Sequence, residues 1–264
     1  MTKHSFFLSA LLAFSTPAVA DPADAVRLSI LSGWDTDRNT RMIGLKFELE
    51  DGWKTYWRAP GDAGIPPAVT WTGSRNITGA TFHWPTPDIQ DQNGMRTLGY
   101  DGHFTIPVEL DRKSSGPVRV KGKLQIGVCR EICVPITLRF NETLPDGGAR
   151  DSEVVAALID QPMTAPEAGV VKSICTFTPT SDGALVEVRL KMPRLGAKEV
   201  AVVEAGDPRV WVAEPTINRS GGWLTAKTRM YHDYDGPLGI NRSQMRFTVL
   251  AGGQAVDIKG CTSS

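Results

Sequence analysis

Alternation constrains this chain more than any other feature. Over residues 118–140 the even positions are nearly all apolar: Val118, Val120, Leu124, Ile126, Val128, Ile132, Val134, Ile136, Leu138 and Phe140. The odd positions are mostly polar, with Arg119, Lys121, Lys123, Gln125, Thr137 and Arg139. A period of two over that length specifies β-strand with one buried face. Within it lies G-V-C-R-E-I-C-V-P, and both cysteines, Cys129 and Cys133, fall in the odd, outward set. Residues four apart on a straight strand are about 13 Å apart, whereas a disulfide needs Cα atoms within about 7 Å. A bond between them therefore requires the strand to turn. A three-residue loop, Arg130-Glu131-Ile132, sets them opposite one another as a cross-strand pair. A single helical turn also brings them close. Either way the expectation is an exposed cysteine pair at a turn tip, on the polar face, with the core beneath.

The rest of the chain repeats the β signal in shorter pieces. Residues 26–30 and 41–50 read as strands, and Gly44 reads as a bulge. Asp51-Gly52 is a turn, 53–57 a strand, and Pro60, Gly61, Gly64, Pro66 and Pro67 mark an ordered loop. Trp53, Tyr56, Trp57 and Trp71 crowd this stretch, as core anchors or as a platform beside a site. His83-Trp84-Pro85-Thr86-Pro87 precedes a polar loop at 88–94. Leu98-Gly99-Tyr100 and residues 103–110 give a further strand, which Pro107 marks as an edge. No long amphipathic helix appears before residue 145. Residues 151–160 are the best helical candidate, capped by Asp151 or Ser152, with Val154, Val155, Leu158 and Ile159 as the apolar stripe. Strand-like segments then follow at 173–179, 185–192, 200–204, 210–213, 223–231, 246–250 and 255–258, the number expected of one immunoglobulin-like sandwich. The fold class is all-β: two immunoglobulin-like β-sandwich domains, at 21–145 and 167–264, joined by a short helical linker at 146–166.

Residues 1–20 stand apart. Lys3 and His4 precede an apolar run that ends in Ala18-Val19-Ala20, the pattern of a secretory signal peptide cleaved after Ala20. No stretch approaches the roughly 18 apolar residues of a membrane span. Basic and acidic side chains balance at 29 each, so nothing in the charge favours nucleic acid or an anionic membrane surface. The reading is a soluble exported protein in a compartment where disulfides persist.

Four cysteines allow three pairings, and their spacing favours Cys129–Cys133 with Cys175–Cys261. Closing about five residues constrains the unfolded chain by roughly 2 kcal/mol, and closing about 87 by roughly 4.6 kcal/mol. Cys175 and Cys261 bracket the second domain and read as a structural staple. Cys129–Cys133 is a poor staple. Arg130 beside it favours the nucleophilic thiolate, and Glu131 opposes that. Spacing alone leaves three roles open: redox pair, hairpin clip, or a two-thiolate site for the soft ion Cu(I). No histidine is near in sequence, although His83 and His103 can fold nearby, and no Met-rich copper motif occurs. No G-x-S-x-G, H-E-x-x-H, phosphate loop or G-x-G-x-x-G is present. No cofactor or resident metal is called for.

Read in order, G-W-x-x-Y-W-R-x-P-G-D-x-G-x-P-P, W-P-x-P, G-Y-x-G-x-F-x-x-P-V and V-C-x-x-x-C-V-P resemble the periplasmic N-terminal region of the thiol:disulfide interchange protein DsbD, especially its ScsB-like relatives. The resemblance covers about residues 25–145 and, less specifically, the second domain. It implies an immunoglobulin-like domain relaying electrons by dithiol–disulfide exchange. Cys129 and Cys133 match the redox pair, with Cys133 forming the mixed disulfide and Cys129 resolving it. A family cap loop matches residues 90–97 by position, but its sequence departs from an aromatic cap. The cysteine spacing is also shorter than in the best-known members. Trp53, Tyr56 and Tyr100 are candidates to border the site. The membrane and thioredoxin-like domains of DsbD-type transporters are not in this sequence, and no C-x-x-C occurs. The expectation is a stand-alone soluble periplasmic disulfide reductase component. Its partners would be a membrane electron donor of DsbD or CcdA type and thioredoxin-like periplasmic proteins. The rival readings are a copper-tolerance module using the same thiolates and a non-catalytic interaction module.

Overall fold

The computed structural model describes residues 22–92, 94–232 and 238–263. The expected signal segment lies outside them. After a short 3-10 turn at Pro22–Ala25 come β1 (Val26–Asp35), β2 (Thr40–Leu49), β3 (Lys54–Tyr56), β4 (Ala68–Thr70) and β5 (Ile77–Phe82). Then follow β6 (Asp88–Gln92), β7 (Met95–Asp101), β8 (His103–Arg112), β9 (Val118–Cys129) and β10 (Cys133–Leu144). They build two sheets, ordered β1-β2-β8-β5 and β10-β9-β3-β7-β6, with β4 added to β9. Between the sheets the alternating residues meet in one core. Ile43, Leu45 and Phe47 of β2 and Ile106, Val108 and Leu110 of β8 pack on Val118, Val120, Leu124, Ile126 and Val128 of β9. The apolar even positions of β9 and β10 thus face inward, as their period requires, while Ile132, in the turn between them, points out and is not part of the buried face.

Two expectations here are corrected. The strand holding Pro107 is β8, and it is central, between β2 and β5. Pro107 is tolerated because its carbonyl accepts from the His83 amide at 2.9 Å, so its missing N–H faces the same side, where β5 has already ended at Phe82. The bulge lies in β1, where the register shifts between Leu31 and Trp34, and Gly44 sits in the regular ladder. Gly44 has another use: a Cβ there would lie 2.8 Å from Val154 Cγ2 and 2.9 Å from Thr105 Cγ2. The bare backbone lets a helix lie on the sheet.

That helix is α1 (Ser152–Ile159), capped by the Asp151 carboxylate, which accepts from the Glu153 and Val154 amides. It packs against the first sandwich and does not hang free between the two halves. Glu153 bridges to Lys46 at 2.7 Å. Its buried face is Val154 and Ala157, while Ile159 is 80% exposed, so the apolar stripe read from sequence was drawn too wide. Beyond it are β11 (Met163–Thr164), β12 (Lys172–Thr180), β13 (Gly183–Lys191), β14 (Val200–Glu204) and β15 (Val210–Val212). The chain ends with β16 (Thr216–Ser220), β17 (Trp223–His232), β18 (Arg246–Ala251) and β19 (Gln254–Lys259). The sheets are β11-β19-β18-β14 and β12-β13-β17-β15, with β16 also on β17. Val186, Val188 and Leu190 face Phe247, Val249, Val256 and Ile258 across this second core. A disulfide joins Cys175 of β12 to Cys261 beyond β19, with Cα atoms 5.8 Å apart.

The two sandwiches meet through a third apolar cluster. Trp57, Leu98 and Tyr100 of the first pack on Val200, Leu250 and Ala255 of the second. Arg58 reaches across to Glu204, and Arg96 pairs with Glu214. No helix among the described residues is long and apolar enough to cross a membrane.

Candidate functional site

β9 and β10 form a hairpin whose register sets Cys133 opposite Cys129. The three-residue loop of residues 130–132 closes it, and the sulfurs are bonded with Cα atoms 4.2 Å apart. The pair does not lie open on the polar face. Cys129 is 1% exposed and Cys133 is half-buried. β3 explains the difference. It pairs with β9 so that Lys54 lies beside Cys129 and Thr55 beside Val128. Tyr56, one residue on, therefore rises from the same face as the cysteines.

Gly127 makes this arrangement possible. A Cβ on Gly127 would lie 2.8 Å from Tyr56 Cε2 and 2.8 Å from Ile65 Cβ. The Tyr56 ring occupies the place a side chain would take, and its hydroxyl reaches the sulfurs two residues along. Tyr56 Oη is 2.7 Å from Cys129 Sγ, 2.8 Å from Cys133 Sγ, and 3.3 Å from the Ala63 carbonyl to which it donates. Burial pushes the Tyr56 hydroxyl above its ordinary pKa, so it stays a donor. The 60–67 loop completes the cover, with Ile65 over Gly127 and Ala63 on the hydroxyl. On the open side, Ile132 at the tip is 74% exposed. Arg130 Nε lies 3.7 Å from where a Cβ on Gly52 would be, so the tip leans over the β2–β3 turn.

The other candidates go elsewhere. Trp53 packs against the first core. Tyr100 pairs with Thr55 and so points to the opposite face of the sheet from Tyr56. It stacks on Phe104 at 4.4 Å and donates to the Pro85 carbonyl at 2.9 Å. Of the three aromatic candidates, only Tyr56 is brought to the sulfurs. His83 is engaged by Gln161 at 3.3 Å and faces Glu109 at 3.5 Å, and His103 lies beside α1. Among the described residues no group of three or more His, Cys, Asp or Glu side chains is placed to hold a metal ion.

The stretch matching a cap loop, residues 90–97, belongs to the β6–β7 hairpin. Cys129, Lys54 and Asp101 lie level across the sheet. The hairpin turn at Gly94 is thus about seven residues, roughly 23 Å, down β7 from the cysteines. What shields the sulfurs is the loop after β3. The sequence marks that loop as ordered, in a stretch whose aromatics read as core anchors or a platform beside a site, but not as the cover of the sulfurs. The available signal was the run of aromatics, prolines and glycines facing Gly127 on the neighbouring strand.

The family model described as thiol:disulfide interchange protein DsbD, N-terminal, matches residues 18–145. Those residues are a domain of the DsbD N-terminal family. The DsbD-type domain thus carries both sulfurs, Tyr56 and the loop that covers them. A solved structure, the N-terminal periplasmic domain of ScsB from Proteus mirabilis, is similar over both sandwiches. It has a TM-score of 0.68 at 22% identity and covers 93% of this chain and 97% of that one. This likeness extends the shared fold beyond the DsbD-type domain. The reduced N-terminal domain of DsbD from Neisseria meningitidis aligns at a TM-score of 0.31 and 17% identity, over 49% of this chain and 92% of that one. No curated protein matches the chain.

Proposed function

We propose that this chain is an exported thiol–disulfide exchange protein, a protein-disulfide reductase component whose exchanging pair is Cys129–Cys133. The observation that carries the reading is the buried Tyr56 hydroxyl shared between two sulfurs at a hairpin tip. A clip that closes about five residues gives little stability and needs no donor on its sulfurs. A pair that must pass through a thiolate does, because hydrogen bonds to an ionised acceptor are roughly twice as strong as neutral ones.

Exchange begins when a thiolate of a partner dithiol attacks Cys133, the more exposed sulfur. An S–S bond forms to Cys133 Sγ, the Cys129–Cys133 bond breaks, and its electron pair leaves on Cys129 Sγ as thiolate. Tyr56 turns its proton from the Ala63 carbonyl to that thiolate. The partner's second thiolate then attacks the mixed disulfide at its own sulfur and releases Cys133. The partner ends as a disulfide, and this chain, with two protons taken up from water, as a dithiol. In reverse, Cys133 attacks an oxidised client and Cys129 resolves, passing on two electrons.

In this reading residues 1–20 direct export to the periplasm and residues 21–145 carry the chemistry. Residues 146–166 connect through α1, and 167–264 form a structural or docking domain stapled by Cys175–Cys261. The electron donor is a membrane protein of DsbD or CcdA type, and thioredoxin-like periplasmic proteins are the exchange partners. The test is trapping. A Cys129→Ser chain mixed with an oxidised thioredoxin-fold protein should give a disulfide-linked adduct through Cys133, and Cys133→Ser should give far less. Failure of the purified dithiol form to exchange with every thioredoxin-fold partner tried would end the proposal.

A further inference from the structure

The exchange site and the junction between the sandwiches share one strand. Tyr56 ends β3, and the next residue, Trp57, is fully buried in the junction cluster. Its amide donates to the Leu98 carbonyl at 2.9 Å. Arg58 stacks on the Trp57 ring with 3.7 Å between guanidinium carbon and ring centroid. Its Nε and Nη2 donate to the Glu204 carboxylate at 3.2 and 3.0 Å, and Nη2 also donates to Thr248 Oγ1 at 3.1 Å. Glu204 ends β14 and Thr248 lies in β18, so both belong to the second sandwich. Past Arg58 the chain passes Ala59, also packed on the junction. The Pro60 carbonyl then accepts from the Leu98 amide at 3.0 Å. From there the chain turns back to place Ala63 on the Tyr56 hydroxyl and Ile65 on Gly127. The segment that shields the sulfurs is therefore held at its root by the second sandwich.

Resting on the exchange reading, we propose that Arg58 is a positioning residue of the exchange site. Its ion pair with Glu204 and its bond to Thr248 fix residues 57–60, so that the second sandwich sets the place of the Tyr56 hydroxyl against the sulfurs. Arg58 and Glu204 side chains are only 10% and 24% exposed. The other carboxylate near it, Asp257 at 3.9 Å from Nη2, is already engaged by Arg246 at 2.6 Å, so a charge so buried does not keep its place once Glu204 is removed. Without Glu204 the guanidinium moves toward water and off the Trp57 ring. Tyr56, directly before Trp57, then loses the anchor that keeps its hydroxyl on the two sulfurs. Glu204 touches neither sulfur, so an effect on sulfur chemistry has to travel through β3.

The experiment is a thiolate titration of the selectively reduced Cys129/Cys133 pair in the full chain, followed by ultraviolet absorbance with Cys175–Cys261 left oxidised. Glu204→Gln should raise the lower apparent pKa by about one unit, a tenfold change in the thiol–thiolate equilibrium. In a Tyr56→Phe background the same substitution should add nothing, because neighbours that act as a unit are not additive. Arg58→Lys, which keeps the charge, should shift the pair less than Arg58→Gln. Thr248→Val, of matching shape, supplies the comparison if Glu204→Gln fails to fold. The proposal is overturned if folded variants melt earlier but titrate like the original chain. It is equally overturned if Glu204→Gln shifts the titration equally with and without the Tyr56 hydroxyl. Failure of the exchange reading shows separately, as absence of exchange with thioredoxin-fold partners by the original chain, because the titration needs no partner.

Discussion

Tyr56 has one proton and three acceptors within reach: two sulfurs and the Ala63 carbonyl. In the disulfide the sulfurs are weak acceptors and the carbonyl competes well. Once one sulfur carries charge, the proton belongs there. Hydrogen bonds to charged groups contribute about 1.5–3 kcal/mol, and one pKa unit corresponds to about 1.36 kcal/mol. Tyr56→Phe should therefore raise the pKa of the lower-titrating thiol by about one unit or more, read from thiolate absorbance in the reduced protein. An unchanged titration would remove Tyr56 from the chemistry. At this scale the sequence was partly readable. The cysteines announce themselves by type and spacing, and Tyr56 by its place among aromatics. Arg58 and Gly127 do not. An arginine after a tryptophan and a glycine in a strand carry no periodic signal: the role of Gly127 appears only when β3 is laid beside β9, and that of Arg58 only when β14 and β18 of the second sandwich are beside it.

Among the elements, β9 and β10 were legible as strands with one buried face, because twenty-odd alternating residues leave one way to bury the apolar set, whereas the choice between a three-residue loop and a helical turn at 130–132, and with it the register, came from the structure. The β6–β7 hairpin was not. Its first strand buries Gln90 and Gln92 and exposes Ile89, so its polar and apolar positions are reversed and the segment reads as a loop. β16, with Thr216, Ile217 and Asn218 all exposed, gave no alternation either. β16 is held partly by Arg219, whose guanidinium grips Glu199 at 2.7 Å through both Nε and Nη2. Burial alone would raise the Glu199 pKa, but the Arg219 and Leu195 hydrogen bonds and the positive charges of Arg219 and Arg194 outweigh it and hold it below the ordinary value. A depressed folded pKa means this stabilisation is complete above the unfolded glutamate value of about 4.3 and is lost as pH falls through the lower folded value. Glu199→Ala strands a buried guanidinium and should cost about 3–5 kcal/mol, measured by denaturant unfolding at neutral pH. The difference from the original chain should shrink in acid below pH about 4, and a pH-independent difference would refute the assignment.

Across the whole molecule, two sandwiches are joined by one apolar cluster and a few ion pairs. Two β-rich halves around a helix were readable from strand counts, but the junction was not, since Trp57, Leu98, Val200 and Leu250 each look like ordinary core residues of their own strands. Trp57 is 0% exposed and packs in the junction. Trp57→Ala should cost about 3–5 kcal/mol and divide one calorimetric unfolding transition into two, because it loosens the joint and leaves each main core whole. A single transition shifted as a block would mean that the halves unfold together for another reason.

The central claim is that the two disulfides do different work, and their reduction potentials test it most directly. The oxidised protein is equilibrated with glutathione buffers, free thiols are trapped, and each pair is quantified by mass, with Cys175–Cys261 as the internal reference. Cys129–Cys133 should lie near the roughly −180 to −270 mV of working oxidoreductases, with Cys175–Cys261 below about −300 mV. Both pairs below about −300 mV would make Cys129–Cys133 a permanent bond, and the exchange reading would be wrong.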